Sequence, residues 1–177
     1  MRLRRLADAE PVPWKNGGGL TRELLREPAE GPVRLRISVA DVASEGPFSL
    51  FPGVERVITL LSGAGFRLRG LAWEATLTGA SPPFRFPGDV PVTCDLLDGP
   101  IRDVNVMWTR SLADHHVRRR RTGAVKAGSV IVALGPREVG VTGEKVQLAA
   151  GDVLALGAEE PAELRAGRAA VLVVAPR

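Results

Sequence analysis

Apolar and polar residues along this chain alternate with a period of two, the repeat of an extended strand rather than of a helix. From Val33 to Ala40, Leu35, Ile37 and Val39 fall on one side while Arg34, Arg36 and Ser38 fall on the other, which predicts a strand with one apolar face. Thr21 to Arg26 also reads as strand. Arg56 to Leu61, Phe66 to Arg69, Trp73 to Leu77 and Val92 to Leu97 follow as β-rich runs broken by Gly, Ser and Pro, at the spacings of a barrel or sandwich. Ser129 to Leu134, Lys145 to Leu148, Val153 to Leu156 and Ala169 to Ala175 continue the theme with almost no residue type suited to catalysis. Few or no helices are expected, and the stretch from Gly123 to Arg177 reads as structural.

The run Arg102 to Trp108 carries more chemistry. Period two places Asp103, Asn105 and Met107 on one face and Arg102, Val104, Val106 and Trp108 on the other. A carboxylate and an amide inside an otherwise apolar strand cost about 1–3 kcal/mol to bury for the neutral group, and more for the charge, unless partners are supplied. Two readings follow. Asp103 pairs with an arginine such as Arg36 or Arg56 and stitches the barrel, or Asp103 and Asn105 hold a ligand.

A weak internal repeat supports one recurring plan. Phe51-Pro-Gly, followed by Val57 and Leu61, aligns 35 residues on with Phe86-Pro-Gly, Val92 and Leu96. In GPFSLFPG (46–53), Pro47 and Pro52 fix φ and the Pro52-Gly53 pair suits a tight turn, so this connection holds its side chains firmly. Gly-Asp precedes an apolar run at Gly88-Asp89 and again at Gly151-Asp152.

Composition narrows the class. At 177 residues the chain fits one compact domain with a full core, and 20 glycines with 14 prolines disfavour a helical bundle. The single cysteine, Cys94, excludes an internal disulfide and any multi-cysteine zinc site, and reads as a small buried hydrophobe in a reducing compartment. With no 18-residue apolar run, and no apolar stretch in MRLRRLADAE, the expectation is a cytoplasmic protein without a membrane partner. Most of the formal charge of +4 comes from Arg118 to Arg121 in HHVRRRRTG. Without interleaved aromatics this run reads as a solvated linker, with a patch for nucleic acid or an acidic partner as the less favoured alternative.

PWKNGGGLTREL (13–24) concentrates the most unusual residues: three glycines beside Trp14, Lys15, Asn16, Thr21 and Glu23. Glycines at 17–19 let the backbone take positive φ or approach a ligand or another strand closely. The dinucleotide and P-loop spacings are both absent. A glycine-rich turn before a strand and a binding loop both stay open from the residues alone. The segment resembles the N-terminal signature of the HutD/Ves family, small cupin-like proteins associated with histidine utilisation. GPFSLFPGVER (46–56) and GPIRDVNVMWTR (99–110) resemble that family's other two signatures in the same order. The resemblance spans about the first 110 residues and stops at Arg110.

The resemblance implies an all-β, cupin-like (RmlC-like) β-barrel or double-stranded β-helix, bicupin-like, with residues 1–110 as the signature-bearing half and 123–177 as a second, structural half. It also singles out Ser49, Phe51, Pro52, Gly53, Arg56, Asp103, Asn105, Met107 and Arg110. Many cupins hold a metal through several histidines. Here the only histidines are the adjacent His115 and His116, which on a strand would point to opposite faces, so a metal-free pocket without cofactor is expected and both histidines are assigned to an exposed linker. No nucleophile-elbow pattern surrounds Ser49. The expected pocket draws on Trp14, Lys15, Asn16, Gly17, Gly18, Thr21, Glu23, Arg36, Ser49, Phe51, Arg56, Asp103, Asn105, Met107 and Arg110. It would bind a small carboxylate-bearing metabolite, in a regulatory role in histidine utilisation. The alternatives are a metal-free isomerase or hydrolase with Glu23 and Asp103 as acid and base, and a nucleic-acid or partner-binding module using Arg118 to Arg121. A homodimer is compatible with any of these.

Overall fold

A computed structural model describes residues 1–15, 17–165 and 167–177. Among them there are nineteen strands, one short 3-10 turn at Leu6–Asp8, and no α-helix. The first strands are β1 (Arg2–Arg4), β2 (Pro11–Pro13), β3 (Gly19–Glu27), β4 (Leu35–Val42), β5 (Gly46–Pro47) and β6 (Val54–Ser62). After them come β7 (Phe66–Arg69), β8 (Glu74–Leu77), β9 (Phe84–Pro87), β10 (Thr93–Leu96) and β11 (Ile101–Thr109). The rest are β12 (His115–Arg120), β13 (Gly123–Val125), β14 (Val130–Ala133), β15 (Arg137–Val141), β16 (Glu144–Leu148), β17 (Val153–Ala155), β18 (Ala162–Leu164) and β19 (Val171–Pro176).

The chain divides into two units, Glu10–Ala113 and Met1–Ala9 with Asp114–Arg177. In Glu10–Ala113 a six-stranded sheet, ordered β2-β3-β4-β11-β6-β9, accompanies a four-stranded one, β5-β10-β7-β8. The second unit has a five-stranded sheet, β1-β17-β14-β19-β12, and a four-stranded sheet, β13-β18-β15-β16. Each sheet is open, so among the described residues no sheet closes on itself as a barrel. Strands as short as β5 and the Gly- and Pro-rich turns between them end the ladders before closure.

In the first unit, Ile58 and Leu60 of the six-stranded sheet pack with Phe66, Leu68 and Cys94 of the four-stranded sheet. In the second, Val125, Ile131, Val139, Leu154, Leu164 and Val171 form the core. Asp152 ties the N-terminal residues to this second unit. Its buried carboxylate accepts the Leu6 and Ala149 amides, each at 2.9 Å, and pairs with Arg5 at 2.7 Å. This is the structural use of the Gly151-Asp152 turn.

The arginine run is not a linker. Arg118, Arg119 and Arg120 lie on β12, paired with β19 at the edge of its sheet, where charged residues discourage pairing with another chain. Alternation sends neighbouring arginines to opposite faces, and Arg120 and Arg121 donate to the Ala124 and Arg168 carbonyls at 2.8 and 3.2 Å. His115 and His116 begin the same strand, His115 buried and His116 exposed, so neither is a linker residue.

Candidate functional site

The site is built on β11, which lies between β4 and β6. Register turns its period-two pattern into rows. Met107 stands opposite Arg36 on β4 and Arg56 on β6, Asn105 opposite Ser38 and Ile58, and Asp103 opposite Ala40 and Leu60. Phe86 on β9 extends the first row beyond Arg56, and Arg26 on β3 extends it beyond Arg36. A bulge in β3 between Glu23 and Leu25 keeps Glu23 opposite Ser38. The row with Asp103 borders the apolar core through Ala40 and Leu60, while the row with Arg56 faces a cavity of about 1150 Å³.

The cavity is lined by strand residues Thr21, Glu23, Arg26, Arg36, Ser38, Arg56, Asp103, Asn105 and Met107, by Trp14 and Lys15, and by Phe48, Ser49, Phe51 and Pro52 from the stiff 46–53 connection. Among the residues named from the sequence, Gly17, Gly18, Gly53 and Arg110 are not in its lining. Asn16 lies outside the described residues. Arg110 instead bridges loops: its side chain donates to the Val54 carbonyl at 3.1 Å and pairs with Asp89, while its amide donates to the Gly53 carbonyl at 2.9 Å.

Arg56 is the focus of the geometry. Only 5% exposed, its guanidinium sits 5.2, 5.3 and 4.9 Å from the ring centres of Phe48, Phe51 and Phe86. The two Phe-Pro-Gly segments are pinned together, with the Phe51 amide donating to the Gly88 carbonyl at 2.8 Å and the Gly88 amide to Val54 at 2.7 Å. Each thereby delivers one phenyl ring to the same cation. Nη2 donates to Asn105 Oδ1 at 2.8 Å, and Asn105 Nδ2 donates in turn to Asp103 Oδ1. One amide thus relays between a cation and a carboxylate that are both buried. Arg56 Nε and Asp103 Oδ2 are also buried, and among the described residues neither has a hydrogen-bond partner.

Charge follows burial here. Desolvation pushes the Asp103 carboxyl up to about 7, outweighing the opposing pull of the Arg56 cation; the Asp41 charge adds to the rise. Burial lowers Arg56 to about 10, with Asp103 opposing and Arg36 reinforcing, so the guanidinium stays charged at neutral pH. Burial also pushes the Cys94 thiol up to about 12, with Asp103 the next cause. Toward the mouth the charges are wetter. Arg36 Nε donates to Glu23 Oε2 at 2.6 Å, with the Glu23 side chain 41% exposed.

The triglycine segment seats Trp14. A Cβ on Gly19 would lie 2.3 Å from the Asp41 carbonyl oxygen and 3.3 Å from the Trp14 ring, so only glycine permits this approach. The indole Nε1 donates to Thr21 Oγ1 at 2.8 Å, and its ring meets Phe48 edge-on at 6.4 Å. Gly17, at φ +72°, turns the chain back so that its amide reaches the Trp14 carbonyl at 3.0 Å. The close approach at Gly19 is the one expected of the glycines at 17–19, whereas the expected pocket does not include Phe48, Phe86 or Ser38. The signal for Phe86 was the Phe-Pro-Gly repeat, and for Ser38 its alternation with Arg36. Among the described residues no group of three or more His, Cys, Asp or Glu side chains could hold a metal ion.

The family model described as HutD matches residues 6–174. A 21.2 kDa protein in the hutC 3′ region of Pseudomonas putida is 40% identical over 110 residues, and protein Ves of Citrobacter koseri is 44% identical over 108. These matches span 61% and 59% of this chain and only 58% and 56% of the relatives' own length. A conserved protein of unknown function from Pseudomonas aeruginosa superposes with a TM-score of 0.86 at 32% identity, covering 98% of this chain and 96% of its own. HutD from Pseudomonas fluorescens SBW25 gives 0.79 at 32%, covering 99% and 98%. A cupin 2 conserved barrel protein from Leptotrichia buccalis shares the fold at 11% identity, with a TM-score of 0.62 over 98% of this chain and 100% of its own.

Proposed function

Since the chain belongs to the HutD family, we propose that the cavity in Glu10–Ala113 binds a small carboxylate-bearing metabolite, and that the protein acts as a regulator in histidine utilisation rather than as an enzyme. The observation that carries the reading is Arg56: a caged, buried guanidinium in the lining of a cavity of about 1150 Å³, its Nε without a hydrogen-bond partner among the described residues. A fixed guanidinium grips a carboxylate in a planar fork, each charge-assisted bond contributing roughly 1.5–3 kcal/mol. Lys15 at the exposed rim adds a mobile charge that draws anions in. Asn105, which also lines the cavity, reads the ligand's polar, nitrogen-bearing end. The link to histidine utilisation rests on the family and on the P. putida relative's place in the hutC 3′ region. The pair of sheets in each unit supports a bicupin-like reading of the fold.

One observation favours the enzyme alternative. Asp103, raised to about 7, and the exposed, ion-paired Glu23 border one cavity in contrasting environments, as an acid and a base require. A thermal-shift screen of histidine-pathway metabolites, followed by turnover assays on the hits, separates the two. Carboxylates that stabilise the protein and are recovered unchanged fit the regulator; chemical conversion establishes an enzyme; an absence of carboxylate hits refutes both.

A further inference from the structure

We propose that the anion accepted at Arg56 enters together with a proton, which goes to the Asp103 carboxylate beneath it, so that the cavity takes up the elements of a weak organic acid rather than an anion alone. This rests on the reading of the cavity as a carboxylate site. The argument is one of charge balance in a buried place. Arg56 and Asp103 are 5% and 0% exposed and are joined through the Asn105 amide, so with the cavity empty their charges cancel. An anion pairing with Arg56 leaves this patch with a net negative charge in a poorly solvated setting, which is costly. Protonation of Asp103 restores neutrality.

Among the described residues, Asp103 Oδ2 has no hydrogen-bond partner that would resist the change. The Asn105 N–H to Oδ1 is retained whether the carboxyl is charged or neutral. The groups bearing on Asp103 from the surrounding strands leave it as the one that titrates. Arg56 on β6 stays cationic, and Cys94 on β10 stays a thiol. On β4, Arg36 is paired with Glu23 of β3, and Asp41 is held low by Arg102 and Arg22. Asp103, at about 7 in the empty site, is poised to accept the proton at neutral pH. Asp103 is a positioning residue, acting on the ligand through Asn105 and through its charge.

The reaction is anion + H⁺ + Asp103 carboxylate giving bound anion over Asp103 carboxylic acid. The linkage sets the numbers: uptake approaches about 0.9 proton per anion at pH 8 and about 0.1 at pH 6, and affinity for the anion falls roughly tenfold per pH unit above about pH 7. The test is calorimetric titration of the full chain with acetate at pH 8, in phosphate and in Tris, whose ionisation heats differ, plus an affinity series from pH 6 to pH 8.5. Buffer-dependent heats together with the falling affinity are expected. In Asp103→Asn both should disappear while acetate still binds, its affinity flat with pH. Equal heats in the two buffers, or pH-independent affinity in the unsubstituted protein, overturn the proposal but leave the cavity reading standing. Proton uptake surviving in Asp103→Asn also overturns it, by placing the proton elsewhere. If acetate binds at no pH in the series, the carboxylate reading itself fails and takes this proposal with it.

Discussion

Arg56→Lys keeps the positive charge and removes what the structure has built around it. A lysine ammonium cannot stack as a plane among Phe48, Phe51 and Phe86, whose ring centres lie 4.9 to 5.3 Å from the guanidinium carbon. Nor does it reproduce the fork that gives one nitrogen to Asn105 Oδ1 and leaves Nε buried without a hydrogen-bond partner among the described residues. Losing the buried hydrogen bond costs about 1–3 kcal/mol of stability. Poorer packing of the cation on the rings adds about 0.5–2 kcal/mol, so urea unfolding should show a total loss of roughly 1.5–5 kcal/mol with the fold retained by circular dichroism. For binding, loss of one charge-assisted bond of roughly 1.5–3 kcal/mol weakens acetate by at least about tenfold. Calorimetric titration reads that loss. If Arg56→Lys binds acetate as tightly as the parent, Arg56 is an internal ion-pair partner and the site assignment is wrong. Should the variant unfold, Phe48→Leu tests the same reasoning, because it loosens one wall of the cage and leaves the cation and its amide partner in place; an unchanged acetate affinity there would refute the role of the cage.

Asp103→Asn should change how stability depends on pH. The native carboxyl is raised from 3.8 to about 7, so between these values the folded protein holds a proton that the unfolded chain has released, and stability falls as pH rises through that window and is flat above it. The span of about 3 pH units corresponds to on the order of 4 kcal/mol. The difference between parent and variant in urea unfolding at pH 4.5 and pH 8 measures it, and a change under about 1 kcal/mol would mean the carboxylate is well solvated. Gly19→Ala places a methyl 2.3 Å from the Asp41 carbonyl oxygen and should destabilise by at least about 1–3 kcal/mol while loosening Trp14; wild-type stability with unchanged tryptophan fluorescence would contradict the packing argument. Replacing Arg118 to Arg121 with Ser should leave acetate affinity unchanged, since none of the four lines the cavity. Duplex DNA binding with a steep salt dependence that this variant loses would instead make the basic run functional.

Local alternation and turn chemistry were legible in the sequence because they depend on neighbours two residues apart. That Asp103, Asn105 and Met107 share a face follows from strand geometry alone, and the register of β11 against β4 and β6 keeps them so. The all-β class was readable from the same pattern, and the three signature segments pointed to the family. Which cation goes where was not readable. Arg36, Arg56 and Arg110 look alike in a list of residues, yet one sits in an ion pair near the mouth, one is buried among three phenyl rings, and one bridges loops outside the cavity. That outcome is set by pairings between strands far apart in sequence, Arg56 with Phe86 and with Met107, and Arg36 with Met107 at a separation of 71 residues, which decide what stands opposite each position. The two Phe-Pro-Gly segments were visible as a repeat, but only the hydrogen bonds joining them bring Phe51 and Phe86 to one guanidinium. The triglycine announced a close approach without saying to what, and the fold supplies the Asp41 carbonyl and the Trp14 ring. The arginine run misled because charge density suggests solvent, whereas an edge strand satisfies its backbone on one side and tolerates charge on both faces. Sequence therefore determined the strands and the inventory of chemistry on each. Tertiary structure decided which of those groups lost their water, and with it that the Asp103 carboxyl is raised to about 7 and that the Arg56 cation is buried among phenyl rings.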